Sequence, residues 1–402
     1  MSNKATKVVI VYPADPAGII PGGVDTYVRG LILTSPEDIE VSLIGVTTDP
    51  VARPVGRWLA CRLSGKQFSF FPVLWEREPG QRGHIPLSVR FMLGLLRYRP
   101  RCQADVLEFH RIEPMLLYWF DKRPKNAFVH QNMQILENAS ADILWSKLPR
   151  IYYWLEKIVY HRMSSVFAVR EDAVEWYRER FPDIGDRFEF IPTWMDPAIF
   201  CMPSEEQAEE AGRLVREELG QSPSTAIMVT VGRLDDQKQP LLLASAFRAL
   251  VDARHDVCLV YVGDGKLRVV LEDYIEKNGL AHAIKLVGLK SQQEIVRYLW
   301  AAKCFVLSSA YEGMPMCVLE ALGTGCPVVS TEVGEVARVV HPQKSGLLVS
   351  AGDEVALTKA MSEALDMVWD RKQVRDAVVD YTPLKVLEPV YAKYRLLAQE
   401  GG

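Results

Sequence analysis

Short apolar runs recur along this chain, each followed by enough residues for one amphipathic helix, and this alternation restricts the fold more than any other feature. KVVIVYP, VSLIGV, DVLEF, NAFVH, SVFAV and FEFIP precede residue 200, and AIMVTVG, VCLVYVG, IKLVG, CFVLSS and CPVVS follow residue 225. Apolar runs of about 4–8 residues without polar alternation belong to strands buried on both faces, which implies α/β architecture with parallel sheets covered by helices. Two sets of runs need two cores, and 402 residues with 49% apolar content can fill both. Between the sets lies TWMDPAIFCMPSEEQAEEAGRLVREELGQSPS, irregular at its proline-bearing start and helical in its acidic part. The predicted domains are therefore 1–195 and 196–380, with the amphipathic pattern PLKVLEPVYAKYRLLAQ, inside 381–402, packing back on the first.

Charge narrows the partners. A net charge of −4 creates no overall field for nucleic acid. No apolar stretch reaches the roughly 18 residues of a spanning helix. The start, MSNKATKVVIVYPADP, passes from a short polar lead into a strand without the apolar core of a signal peptide, so a cytoplasmic location is expected. Seven cysteines (61, 102, 201, 258, 304, 317 and 326) are scattered without a Cys-x-x-Cys pair, which predicts reduced, mostly buried thiols. Residues 51–101 are the exception to the mild charge: ten Lys or Arg against two Glu give a local net of +8. There VARPVGRWLACRLSGK sets Val55, Trp58, Leu59 and Leu63 at helical spacing between Arg53, Arg57, Arg62 and Lys66, and FMLGLLRYRPR is similarly basic and apolar. Such segments suit an anionic membrane surface, or a solvated basic helix over the first sheet.

The stretch YEGMPMCVLEALGTGCPVVS places two carboxylates, Glu312 and Glu320, on either side of a helix start. CFVLSS reads as a buried strand, Pro315 fits a first helical turn, and Gly323 or Gly325 closes the helix before the next strand. Glu312 then sits at the carboxyl edge of a parallel sheet, where open α/β folds bind ligands. The amides of Gly313 and Met314 lie at a helix N-terminus, suited to an anion or a hydroxyl-rich ligand, and Glu320 is placed to accept hydroxyl hydrogen bonds. Alone, such a pair is more often a capping acid and a surface acid.

Neighbouring strand ends carry matching groups. VTVGRLDDQKQP supplies Gly232, Arg233 and Lys238, a guanidinium fork and an ammonium suited to a diphosphate. VYVGDGKLR supplies Gly263 and Gly265, which permit close backbone approach, but Arg268 stands where a dinucleotide-binding loop needs a third glycine. In the first domain PADPAGIIPGGVDTYVRGL sets Gly22 and Gly23 before a helix, another anion cradle. His110 and His130 each end a strand, a position where a lone histidine is more often structural.

Over roughly residues 225–345 the order and spacing of VGRLDDQKQPLLLASAF, LVYVGDGKLR, IKLVGL and YEGMPMCVLEALGTGCPVVSTEVG, with the linker IPTWMDPAIF before them, resemble the retaining glycosyltransferases of family 4, the group 1 glycosyltransferases. PGGVDTYV and DVLEFHRIEP extend the likeness more thinly over the first domain. The resemblance implies the GT-B fold, two Rossmann-like doubly wound domains facing across a cleft. It implies that Arg233 and Lys238 neutralise a donor diphosphate with help from the amide of Gly23, and that Glu320 holds the ribose. It also implies that Glu312, Gly313 and Met314 hold hydroxyls of the transferred sugar, with His110 touching that sugar. Gly22, Gly232, Gly263 and Pro315 shape the donor site in this reading. No metal or other cofactor is expected, because the cations take the charge-neutralising role and no Asp-x-Asp motif occurs.

The chain departs from the family pattern at VGEVARVV, with Glu335 in a second glycine's place and Arg338 in an acid's, and at Thr193 and Trp194, where Asn-Gly is common. Trp194 could stack on a ligand or simply pack. The expected activity is transfer of a sugar from a nucleotide-diphosphate sugar to a hydroxyl of a glycan or lipid-linked acceptor, in bacterial polysaccharide or glycoconjugate assembly. The basic segment 51–101 and WSKLPRIYYWLEKIVYHRM would dock the enzyme on the inner membrane face. A nucleotide-sugar epimerase of the same fold and a non-catalytic carbohydrate-binding relative are the alternatives.

Overall fold

The computed structural model describes residues 5–18, 23–77, 85–130 and 149–400. The chain divides into two compact units, Met1–Pro192 with Pro383–Gly402, and Thr193–Thr382. Each is built around one sheet.

The first sheet contains β1 (Thr6–Val11), β2 (Ile39–Thr47), β3 (Leu59–Leu63), β4 (Lys66–Trp75), β5 (Val106–Phe109), β6 (Lys125–Val129), β7 (Ser165–Ala168) and β8 (Phe188–Phe190). Their order is β3-β4-β2-β1-β5-β6-β7-β8, parallel throughout except between β3 and β4. The sheet is covered by α1 (Gly23–Leu33), α2 (Leu87–Tyr98), α3 (Ile112–Met115), α4 (Pro149–Tyr160) and α5 (Glu171–Arg180). Strands β5, β6 and β7 are buried at every position, which is why they are mostly apolar, with Glu108, Lys125, Asn126 and Ser165 as buried polar exceptions. The reversal of strand order falls between β1 and β5, so the loops leaving them, toward α1 and through His110, share one sheet edge.

One expectation about residues 51–101 fails. Residues 59–63 form a strand, not a helix, and pair antiparallel with β4 through a tight turn in which Ser64 and Gly65 take φ of 43° and 87°. Apolar residues at 55, 58, 59 and 63 satisfy a helical period, but the outward Ala60 and Arg62 show that the alternating period governs here. Trp58 does not point to solvent as an anchor. Its ring meets Phe71 edge-on and its indole N–H donates to Arg101 O at 2.9 Å. The second basic stretch does form a helix, α2.

The second sheet contains β9 (Ala226–Val231), β10 (Val257–Val262), β11 (Ile284–Gly288), β12 (Cys304–Leu307), β13 (Val328–Thr331) and β14 (Gly346–Val349), all parallel, in the order β11-β10-β9-β12-β13-β14. This is the doubly wound Rossmann order, with its reversal between β9 and β12. Helices α6 (Glu205–Leu219), α7 (Pro240–Ala253), α8 (Arg268–Lys277), α9 (Gln292–Ala301), α10 (Met316–Gly323), α11 (Glu354–Asp366) and α12 (Arg371–Asp376) complete the unit. Local signals fix several ends. Ser204 with Gln207 and Ser291 with Glu294 make capping boxes on α6 and α9, and Gly220 takes the left-handed C-cap of α6. The GLLV strand β14 had no counterpart in the sequence reading.

The last helix, α13 (Pro383–Glu400), returns to the first unit. There Tyr391 donates its hydroxyl to Leu31 O at 3.1 Å, Arg395 pairs with Asp38 at 2.7 Å, and Lys393 pairs with Glu189 at 2.6 Å.

Candidate functional site

In the second unit the strand-order reversal brings the loops after β9 and β12 side by side. The β9 loop carries Gly232, Arg233 and Lys238 into the N-terminus of α7, and the β12 loop carries Ser308 to Pro315 into α10. The two loops are cross-tied: Ser308 Oγ donates to Lys238 O at 2.8 Å, and Ala310 N donates to Gln237 O at 2.8 Å. A small pocket opens at these strand ends, lined in part by Thr230, Gly232, Arg233, Lys238, Tyr261 and Ser308.

Lys238 and Glu312 form its charged core. Lys238 Nζ lies 2.7 Å from Glu312 Oε1, which also accepts from Ser309 Oγ at 2.8 Å. Gln237 Nε2 donates to Glu312 Oε2 at 3.2 Å and to Tyr311 O at 3.1 Å, so both carboxylate oxygens are held. Burial lowers the Lys238 pKa, but the acidic groups around it, Glu312 among them, outweigh burial and leave it above its ordinary value. Glu320, buried within α10, is pushed up to about 7 by burial, with the Lys238 charge acting against the rise. Burial likewise pushes the Cys317 thiol to about 11 against the pull of Lys238. Lys238, Glu312, Cys317 and Glu320 therefore make one electrostatic cluster.

Arg233 behaves differently. Its side chain is 74% exposed, with Asp235 3.3 Å away, so it projects from the loop instead of locking into it.

Glycines let the surrounding loops close up. A Cβ on Gly263 would fall 1.9 Å from Gly232 O, so the loops after β9 and β10 touch backbone to backbone. Gly334, in the loop after β13, has φ of 53°, and its Cβ would fall 2.0 Å from Gly313 O. The next residue, Glu335, has φ of −91° and donates its N–H to Gly313 O at 2.9 Å. An extra glycine at 335 is therefore not needed by the backbone, and the Glu335 carboxylate pairs with Arg338. Trp194 is buried, as is Thr193. Arg268 pairs with Glu272 at 2.8 Å at the start of α8.

The N-terminus of α10 is capped by Pro315, with φ of −70° and ψ of 116° and no side-chain hydrogen bond, and Gly313 and Met314 lead into it. Gly325, at φ of 74°, takes the left-handed position after the helix. Gln237 and Ser309, which orient Glu312, went unrecognised in the sequence. Their signal was adjacency to Lys238 and the strand end, which does not distinguish them from loop polar residues.

In the first unit Gly23 opens α1, and Gly22 lies outside the described residues. His110 follows β5 and its ring is enclosed: it stacks on Phe128 at 4.9 Å and on His130 at 5.0 Å, with Tyr12 edge-on at 5.6 Å. Its Nδ1 is 2.7 Å from His130 Nε2 and its Nε2 is 3.0 Å from Glu108 Oε1. Tyr394, on α13, donates its hydroxyl to Glu108 Oε2. Burial pushes Glu108 up to about 8 and His110 down to about 3, and drives His130 well below 6.5 with His110 adding to the effect. In this neutral state the donors run one way: Tyr394 O–H to Glu108, Glu108 O–H to His110 Nε2, His110 Nδ1–H to His130 Nε2. Nothing in the sequence announced Tyr394 as the end of that chain, because the contact spans 286 positions.

Comparison with known proteins gives a consistent picture. Residues 213–378 match the family model described as glycosyl transferases group 1. The chain is 31% identical over 228 residues, 55% of its own length and 52% of the relative's, to D-inositol 3-phosphate glycosyltransferase of Corynebacterium urealyticum. It is 28% identical over 220 residues, 54% of its own length and 55% of the relative's, to UDP-Gal:alpha-D-GlcNAc-diphosphoundecaprenol alpha-1,3-galactosyltransferase of Escherichia coli. The chain thus spans about half the length of the curated relatives it matches. Among solved structures, sucrose-phosphate synthase from Thermosynechococcus elongatus superposes with a TM-score of 0.71 over 98% of each chain at 19% identity, a likeness of fold. The two doubly wound units are those of the GT-B fold.

Proposed function

We propose that this chain, whose residues 213–378 match the group 1 glycosyltransferases, moves a sugar from a nucleotide-diphosphate sugar to a hydroxyl of a glycan or lipid-linked acceptor. The observation that carries the reading is the Lys238–Glu312 pair at the strand-order reversal of the second sheet, flanked by an exposed Arg233 and the start of α10. Two cations and unpaired helix-start amides at one sheet edge form a site for a diphosphate. A buried acid beside them offers acceptors to sugar or ribose hydroxyls.

In the proposed mechanism Arg233, Lys238 and the amides of Gly313 and Met314 stabilise the departing nucleotide diphosphate. No metal takes part. Glu312 orients the transferred sugar and Glu320 the ribose. The chain supplies no nucleophile. The acceptor hydroxyl attacks on the face the diphosphate leaves, with retention of configuration, and fixed charge lowers the barrier. Each such donor is worth about 2.7–4 kcal/mol by analogy with oxyanion-hole deletions. The diphosphoundecaprenol-linked sugar in the name of the Escherichia coli relative supports a lipid-linked acceptor and a place in surface polysaccharide assembly.

A thermal-shift panel of nucleotide sugars tests the reading, because a ligand at a hundred times its dissociation constant stabilises by about 2.7 kcal/mol. One donor class should raise the melting temperature, and Arg233→Ala should remove most of the rise. Absence of a shift with every nucleotide sugar overturns the donor site. Incubation of the active donor without acceptor should leave its sugar unchanged, and a new sugar isomer would replace transfer by epimerisation.

A further inference from the structure

Helix α2 carries apolar residues on two opposite faces. Phe91, Gly94 and Leu95 are buried, and Gly94 brings the helix so close to β4 that a Cβ there would fall 2.5 Å from Val73 O. At 100° per residue, Val89, Leu93 and Leu96 lie within about 60° of one another on the opposite side of the helix. All three are exposed, Leu93 to 58%. A surface helix normally keeps that side polar, and a helix apolar all round belongs in an apolar medium.

The apolar surface continues beyond α2. α3 packs beside α2, and α4 beside α3. The turn after α3 exposes Leu116, Leu117 and Phe120, the last to 92%, and α4 exposes Trp154 to 63%. Aliphatic and aromatic side chains left in water on three neighbouring elements exceed the scattered exposure of an ordinary surface.

Cations border this surface. Arg97 lies one position beyond Leu96, and Arg99 and Arg101 follow the helix end. None of the three pairs with a carboxylate among the described residues, whereas Arg53, Arg90, Arg111, Arg123 and Arg170 of the same unit do. Lys122 and Arg162, also exposed, stand near Phe120 and Trp119, with the Arg162 guanidinium 4.8 Å from the Trp119 ring centroid. Apolar side chains to enter a hydrocarbon boundary and a rim of unpaired cations fit a bilayer carrying anionic lipid.

We propose that the first unit docks on an anionic lipid surface through the outer face of α2, the turn after α3 and Trp154, with Arg97, Arg99 and Arg101 against the headgroups. Among the described residues no helix is long and apolar enough to cross a membrane, so the attachment is interfacial. Of the basic segments the sequence suggested, FMLGLLRYRPR and the one holding Trp154 contribute to this surface, and the segment around Trp58 does not. The inference does not rest on the transfer reaction, and its test is read separately from nucleotide binding.

The experiment is co-sedimentation of the full chain with vesicles of phosphatidylcholine alone or with about 30% phosphatidylglycerol, at low salt. The parent should bind the anionic vesicles and be released as ionic strength approaches about 0.5 M. Leu93→Ser with Leu96→Ser should lower the bound fraction about tenfold, and Arg97→Gln with Arg101→Gln about fivefold per charge removed. These positions are exposed, so melting temperature and the nucleotide-sugar shift should stay at the parent's values. A parent that ignores anionic vesicles at low salt, or serine variants that bind them as well as the parent, overturns the proposal. So does light scattering that shows a dimer broken by the serine variants, which would assign the face to a second copy of the chain.

Discussion

Lys238 and Glu312 leave neighbouring strands of the second sheet and meet at 2.7 Å with both side chains mostly buried. The cation proposed to receive a diphosphate is thus already held by an acid, and in that proposal the ligand's phosphate shares it. The pair keeps the ammonium charged and aimed while the site is empty.

Arg233 and Lys238 should therefore separate binding from folding. Arg233→Ala removes an exposed side chain, so stability should move by less than about 0.5 kcal/mol, whereas affinity for a nucleoside diphosphate should fall roughly 10–100-fold. Lys238→Ala leaves Glu312 buried without its counter-ion. It should cost about 3–5 kcal/mol of stability as well as affinity, and Glu312→Gln added to it should recover part of the stability but none of the binding. Calorimetric titration and thermal unfolding of the three variants check this. Equal stability losses at 233 and 238 would contradict it.

Glu320 sets a pH dependence. Its folded pKa of about 7 is above the ordinary 4.5, so the folded state holds the extra proton between these values and stability is lost as pH rises from 4.5 to 7, by at most about 3 kcal/mol from this group. In the proposed role Glu320 accepts ribose hydroxyls as a carboxylate, so affinity should strengthen as pH rises toward 7 and level off above it, by up to about tenfold per unit. Nucleotide sugars are the probe, because a diphosphate esterified at both ends does not itself titrate there. In Glu320→Gln the pH dependence should vanish.

In the first unit the buried histidines and Glu108 act in opposite directions. Between 4.5 and 6.5 a neutral Glu108–His110 pair holds as many protons as the unfolded Glu⁻ and His⁺, so the pair contributes no slope. His130, held well below 6.5, makes stability fall as pH drops under that value. Glu108, held near 8, makes it fall as pH rises from 6.5 to 8. Stability of this unit should peak near pH 6.5, and Glu108→Gln should flatten the alkaline limb. Tyr394→Phe should cost about 1–3 kcal/mol by removing a buried donor. Melting curves across pH decide the matter.

Gly334→Ala should be far more damaging than Glu335→Gly. The first adds a Cβ 2.0 Å from Gly313 O at a left-handed φ, which forces apart the loop that carries Glu312 and should exceed about 2 kcal/mol. The second changes a residue at φ of −91° and should cost about 1 kcal/mol or less. Both thermal stability and donor binding should follow that order.

These residues also show what the sequence made legible. Central strands declare themselves because burial on both faces demands unbroken apolar runs, and the spacing of Arg233, Lys238, Glu312 and Glu320 at strand ends carried the candidate site. The pairing of Lys238 with Glu312, by contrast, is a property of strand order, and no spacing encodes it. The β3–β4 hairpin was hidden because Trp58, Leu59 and Leu63 satisfy two periods at once, and the Ser64–Gly65 turn was the signal that separated them. His110 stood out as a strand-end histidine, but its enclosure depends on Phe128, His130, Glu108 and Tyr394, which only the folded chain assembles.

The return of α13 to the first unit fixes the order in which the protein can mature on the ribosome. Residues 193–382 contain every strand of their own sheet and can close as soon as they emerge. The earlier-made unit must wait with the Glu108 carboxyl and the Leu31 carbonyl lacking their α13 partners until Tyr391 and Tyr394 clear the exit tunnel. A premature stop after residue 382 would therefore cripple the amino-terminal half of the molecule and spare the half translated last.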